Sequence, residues 1–382
     1  MIPLSEPRPE LAAPKGFALF ALGFRPFYLL AGLLAALAVP LWALQYAGWL
    51  PHPNVLWHAH EMIFGYAFAV IAGFLLTAVR AWTGLPTPTG VPLALIAALW
   101  IAARITALYS LDLAALVDVA FALAVAAGIG RPLIASGNRR NWFFILLVAG
   151  LGAASVAFIA WPSIAFNVGL DLILFVMAVV GGRVIPSFTN NAVTGAGAQR
   201  VGWLDKASLG AVLLLLAMDA AGLDHLAALA AMVAASLHGA RLLLWAPGKT
   251  RGRPILWILH LSYAWLVLHL ALRALAGFEL VPANLATHAL TVGAIGGLTL
   301  GMMTRTSRGH TGRPLTVGPV ETLAYALVHV AAAVRALLPL LLPGAYVALV
   351  GASAALWGAA FALFFVVYLP ILTRPRIDGK PG

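Results

Sequence analysis

The chain has 382 residues, of which 63% are hydrophobic and 9% charged, with a formal net charge of +11 and no cysteine. Soluble domains run at roughly 45 to 50% apolar and about 25% charged, so this composition belongs to an integral membrane protein. The lack of cysteine excludes disulfides, iron–sulfur clusters, thiolate-ligated haem and thiol catalysis, which leaves histidine, carboxylate and methionine as metal donors.

A polar, Pro-containing lead over 1–16 opens the chain, and the apolar block behind it is interrupted by Arg25, so it reads as a retained first helix and not a cleaved signal peptide. Breaks at Pro, Gly and charge then divide the sequence into apolar segments at 17–45, 57–80, 91–109, 111–129, 142–161, 164–182, 205–222, 223–245, 254–276, 281–303, 319–341 and 343–369. These runs reach the ~20 residues that cross ~30 Å of hydrocarbon, and the alternation of barrel strands is absent. The expected fold is all-α: a polytopic helical bundle with one transmembrane domain over 17–372 and a cytoplasmic tail over 373–382. No soluble domain or internal repeat is visible.

Charge supplies the orientation. With the N-terminus inside, twenty of the twenty-three Lys and Arg residues fall on inner segments, and Arg104, Arg273 and Arg335 alone remain outside. Both termini are therefore expected in the cytoplasm, and the dispersed basic residues report topology, not nucleic acid. Trp49, Trp57 and Trp161 outside, with Trp82, Trp142, Trp203 and Trp245 inside, fit aromatic belts. The connections around 183–204 and 304–318 read as the longest inner loops. The basic stretch RTSRGHTGRP (305–314) within the second suits a phosphate or propionate bound through backbone N–H groups, although it matches no Walker loop. Ala289, Gly293, Gly297 and Gly301 form a small-residue stripe that packing explains.

Polar groups at depth carry the functional signal. LWHAHEMIFGYAF (56–68) sets His58, His60 and Glu61 at the outer mouth of an apolar run, and His288 lies roughly 10 Å below the outer edge. At about 100° per residue His58 and His60 point roughly 200° apart, so in a helix they serve different partners, whereas Glu61 and Met62 share the face of His58. His58, His60 and His288 suit a metal such as copper, set against interfacial histidines that simply hydrate. On the inner side His260 suits a haem ligand, with Arg25, Arg183 or Arg241 pairing propionates, set against arginines that snorkel. Asp118 and Asp171, inside the fourth and sixth segments, act as proton relays or as neutral hydrogen-bonded acids. Glu61 is a further candidate relay.

Six stretches, GFRPFY (23–28), WHAHEM (57–62), GGRVIPSFTNN (181–191), LHLSYAW (259–265), THALTVGAIGGLTLGMMTR (287–305) and GHTGR (309–313), together resemble the NnrS family. The resemblance implies a multi-pass protein of the bacterial inner membrane that carries haem, expected to be of b type, and copper, and is linked to denitrification, nitric oxide and resistance to nitrosative stress. It raises His58, His60, His260 and His288 as metal ligands and Arg25, Arg183 and His310 as cofactor-binding residues. His52, His225, His269 and His329 fall outside these motifs, and His238 is undecided. The adjacent His-His pair and the His-Pro-Glu-Val-Tyr run of haem-copper oxidases are missing.

The leading expectation is thus a haem and copper protein within the lipid bilayer that acts on nitric oxide or protects against it. No electron donor is specified. A proton-coupled secondary transporter using Asp118 or Asp171, and a cofactor assembly factor that holds metal transiently, are the alternatives.

Overall fold

The computed structural model describes residues 16–51 and 54–380, so the expectations for the lead before Gly16 and for His52 lie outside the described residues. Among the described residues there is no strand, and twelve long helical segments follow the sequence segments one for one. They are α1 (Phe24–Tyr46), α2 (Val55–Thr83), α3 (Val91–Ala107), α4 (Leu111–Ala135), α5 (Phe143–Ala160), α6 (Pro162–Ala192), α7 (Gly202–Ala220), α8 (Asp224–Leu244), α9 (Pro254–Gly277), α10 (Ala283–His310), α11 (Pro319–Ala336) and α12 (Tyr346–Thr373). Ten segments are long and apolar enough to cross a membrane. The other two are α3, at 17 residues, and α7, which carries Asp205, Lys206 and Asp219. Both still match the lower end of transmembrane length.

Local chemistry sets the boundaries. The Asn54 side chain accepts from the Trp57 N–H to start α2, and Ser110 caps α4 by accepting from Leu113. Proline in the first turn opens α3, α6, α9 and α11, where a missing N–H costs nothing. The turn from α7 to α8 needs a positive φ, which Gly222 supplies at +68°.

Sequential helices pack side by side from α3 to α12, and α12 closes back onto α1. Helix α2 is enclosed by α1, α4, α5 and α6 and is the most buried of the spans. Both chain ends lie at one end of the bundle, where the Ala18 N–H donates to the Thr373 carbonyl at 2.8 Å. An even number of passes requires this, and the distribution of Lys and Arg makes that end the inner one.

Three expectations need correction. The segment 183–192 is not loop, because α6 continues through Pro186 to Ala192. Likewise 305–310 forms the last turns of α10, so its N–H groups close helical bonds and do not form an anion nest. Trp245 is no interfacial anchor: it is buried, 4.5 Å from the Tyr263 ring. The glycine stripe behaves as packing requires. Gly293 faces Trp265, Gly297 faces Ser262 and Gly301 faces Ile258, all on α9, at distances where a methyl group would collide.

This topology fixes the outcome of reporter fusions. Alkaline phosphatase, which needs an oxidising compartment to form its disulfides, should be active when fused at 108–110 or 221–223 and inactive at 246–253 or at the C-terminus. Activity at 246–253, measured in whole cells, would refute the twelve-pass order.

Candidate functional site

Helices α2 and α10 both depart from α-helical bonding just inside their outer ends. Glu61–Ala67 and Ala289–Gly296 form π-helix, a rare geometry that concentrates at functional sites. Each π segment directly follows a histidine: His60 in α2 and His288 in α10. A cavity of about 170 Å³ lies between these two segments and α1, α6, α11 and α12, lined by His58, Met62, His288, Arg335, Trp42 and Trp357, by the hydroxyl-bearing Tyr66, Thr287, Thr291 and Ser353, and by apolar side chains.

The polar groups of this chamber are held from behind. The His58 ring stacks on Trp42 with centroids 4.1 Å apart and planes 17° apart, and its buried Nδ1 has no hydrogen-bond partner. His288 Nδ1 donates to the Asn284 carbonyl at 2.6 Å. A carbonyl only accepts, so the proton is on Nδ1 and the lone pair of the neutral ring is on Nε2. Arg335 Nη2 donates to the Tyr346 hydroxyl at 2.9 Å, while its buried Nη1 has no partner. Among the described residues no group of three or more His, Asp or Glu side chains is placed to hold a metal ion. A metal in this chamber would therefore draw on two imidazoles and the Met62 thioether, a nitrogen and sulfur set that suits copper.

His60 turns the other way, as its spacing from His58 requires. Its Nδ1 lies 3.1 Å from Glu61 Oε1 and its Nε2 lies 3.4 Å from Asp118 Oδ2 and from Ser155 Oγ. Arg104 bridges the two acids, donating from Nη1 to Glu61 at 3.0 Å and from Nη2 to Asp118, and the Ser155 hydroxyl donates to Asp118 at 3.2 Å. This cluster joins α2, α3, α4 and α5, and every member is buried. Glu61 was expected on the face of His58. Its carboxylate instead turns toward His60 and toward Arg104 on α3. Arg104, expected at the outer surface, reaches this depth because Gly65 has no side chain; a Cβ there would sit 2.5 Å from Arg104 Nη1.

The inner half holds a second network. The Tyr263 hydroxyl accepts from Arg241 Nη1 at 2.9 Å and donates to His238 Nδ1 at 2.6 Å, while His238 Nε2 donates to the Ser208 carbonyl at 3.2 Å. Arg241 also pairs with Asp205 at 3.0 Å, which accepts from Arg200 as well. The Arg241 guanidinium lies over Gly182, where a Cβ would approach Nη2 to 1.8 Å. Both faces of this group are therefore committed within the protein. His238, undecided from sequence, has both nitrogens bonded.

The inner candidates are dispersed. His260 Nε2 lies 2.9 Å from the Thr189 hydroxyl, which donates to the Ile185 carbonyl, so Nε2 carries the proton and the buried Nδ1 is left without a partner. Arg25 donates from Nη1 to the carbonyls of Leu372 and Arg374, at 2.9 and 2.8 Å, and so caps α12. The His310 ring lies 5.6 Å from Phe24, and its carbonyl accepts from Arg376. Arg183 donates to Asn141 Oδ1 at 2.8 Å and lines a basin of about 420 Å³ with Arg140 and Arg200. No histidine lines that basin. Of the remaining histidines, His269 donates to the Ala286 carbonyl, His225 stacks loosely on Phe278, and His329 is buried with neither ring nitrogen bonded.

Sequence reasoning passed over Trp42, Arg104, Ser155, Arg335 and Tyr346. One signal was available for the arginines. The three basic residues that break the charge bias, Arg104, Arg273 and Arg335, all find partners within the protein: Arg273 binds Asp219 at 2.6 Å with Asp171 alongside, and the other two serve the outer cluster and the chamber.

A family model described as NnrS protein matches residues 18–376. No curated protein matches the chain.

Removing Arg104 leaves two buried carboxylates without their counter-charge. Arg104→Met should lower stability by about 3–5 kcal/mol, measured by thermal or denaturant unfolding in detergent, and adding Glu61→Gln and Asp118→Asn should restore most of it. A single variant as stable as the parent would show that the cluster is not held by this charge.

Proposed function

Because this chain belongs to the NnrS family, we propose that it is a haem- and copper-binding protein of the bacterial inner membrane that reacts with nitric oxide, or protects against it, under the nitrosative stress of denitrification. The observation that carries this reading is the outer chamber, where His58, Met62 and His288 reach one cavity of about 170 Å³ from two helices. A copper ion held there supplies a redox centre able to bind a diatomic ligand.

The chain's own groups prepare the chamber for that chemistry. Trp42 fixes the plane of His58, and the Asn284 carbonyl fixes the tautomer of His288 so that Nε2 can coordinate. Arg335 lines the cavity and sets a positive charge beside it, suited to negative charge that develops on a bound ligand. The many apolar side chains of the lining lower the local dielectric, which strengthens each of these interactions. Behind the chamber, one guanidinium faces two carboxylates, so the cluster is neutral only with one further proton among His60, Glu61 and Asp118. Met62 and Ile63, the next residues after Glu61, line the chamber. Glu61 and its partners thus stand one residue from the site, a place that supports a relay role.

Haem has less local support. His260 offers a buried, unpartnered Nδ1, and the Arg140, Arg183 and Arg200 basin suits propionates, but these groups are not gathered around one cavity. This half of the reading rests on family membership and on His260. The transporter alternative would place its carboxylates in a central cavity, whereas Asp118 is committed to Arg104 and Asp171 lies beside Asp219.

Protein expressed with haem and copper supplied should carry stoichiometric copper and a Soret band. His58→Ala and His288→Ala should each lose copper and keep the Soret band, His60→Ala should keep copper but lose stability, and His260→Ala should lose the Soret band. Metal analysis and absorption spectra separate these outcomes. Copper content unchanged in both His58→Ala and His288→Ala would overturn the assignment.

A further inference from the structure

The outer chamber is not isolated. A second cavity of about 80 Å³ lies deeper, between the same helices α2, α6 and α10, with α9 on its far side. Ile295 lines both, and the linings advance along each helix without a gap: Met62, Ile63 and Tyr66 pass to Ala67, Val70 and Ile71 on α2, and Phe166 and Leu170 pass to Ile173, Val176 and Met177 on α6. From His58 to Phe74 this line covers about 24 Å of the ~30 Å of hydrocarbon. Beyond it, Phe74, Val180 and Val184 line both the deep cavity and the basic inner basin.

The deep cavity differs in chemistry from both neighbours. Val70, Val176, Leu298 and Met302 typify its wall, and Tyr28 and Thr299 are its only hydroxyl-bearing residues; no charged group or imidazole lines it. Thr299 donates to the Ile295 carbonyl at 2.6 Å and accepts from the Tyr66 hydroxyl at 2.5 Å, so its hydroxyl is already used. That Tyr66–Thr299 bond ties α2 to α10 beside Ile295, the residue the two linings share. A cavity this apolar stays dry, yet its volume is several times what one water needs, so a small apolar molecule fits.

We propose that the deep cavity is a second ligand chamber, which takes a small uncharged apolar molecule such as a dissolved diatomic gas and passes it through the Ile295 neck to the histidine chamber. It lies at the depth where the bilayer itself dissolves such molecules best. Its dry wall offers no hydrogen-bonded water file, so ions and protons do not follow the same line. The chamber rests on the proposed function only for the identity of its natural ligand.

Xenon tests the chamber without copper or haem. Metal-free protein in nanodiscs should show two bound ¹²⁹Xe environments that exchange with each other, and a xenon-pressurised structure should place one atom in each cavity. Leu298→Phe, which fills the deep cavity, should abolish that site and leave the outer one. Ile295→Val, a mild change that keeps the fold, should speed exchange between the two. Xenon confined to the outer chamber, ordered water in the deep one, or exchange unaffected by Ile295→Val would overturn the proposal. Copper loading of the same sample is read separately, so loss of the deep site with copper retained removes this inference alone.

Discussion

A charge inside hydrocarbon must find its partner within the protein, because no water is there to solvate it. Two guanidinium groups meet that demand in the same way. Arg104 lies over Gly65 and donates to Glu61 and Asp118; Arg241 lies over Gly182, pairs with Asp205 and donates to Tyr263. A guanidinium is broad and flat, and it can approach a neighbouring helix this closely only where that helix has no Cβ. Each arginine thereby fixes several helices: α2, α3 and α4 around the first, α6, α7, α8 and α9 around the second. Change either glycine and the charge loses its seat, so the polar networks and the helix packing are one construction.

The outer networks follow from that construction. His58 and His60 stand two residues apart at the start of α2 and serve separate ends: the first lines a chamber with His288, the second joins the Arg104 cluster. The π segments of α2 and α10 both border that chamber. Glu61, the next residue after His60, reaches Arg104 on α3. The chamber and the buried ion-pair cluster thus occupy adjacent residues without competing for the same atoms.

The three cavities divide the membrane by chemistry. The outer one carries imidazole, thioether and guanidinium groups, the deep one is aliphatic, and the inner one is basic and open to the side of the chain termini. An aliphatic stretch between two polar ones is costly for an ion and not for an uncharged apolar molecule.

The twelve helical segments were legible in the chain, because hydrocarbon thickness acts on local composition. The opposed directions of His58 and His60 followed from helical rotation alone. The partners did not. Arg104 reaches Glu61 and Asp118, and Tyr263 reaches His238, across 43, 14 and 25 residues, through contacts that exist only once helices pack. Sequence also left α6 and α10 too short, since polar, Gly- and Pro-containing ends resemble loops unless neighbouring helices are there to hold them. The π turns needed the fold as well: nothing in Glu61–Ala67 or Ala289–Gly296 demands them locally. Composition and periodicity therefore determined which segments form the long apolar helices and which polar groups they carry, and tertiary packing decided which of those groups meet, because pairing in a solvent without water depends on how closely two backbones approach.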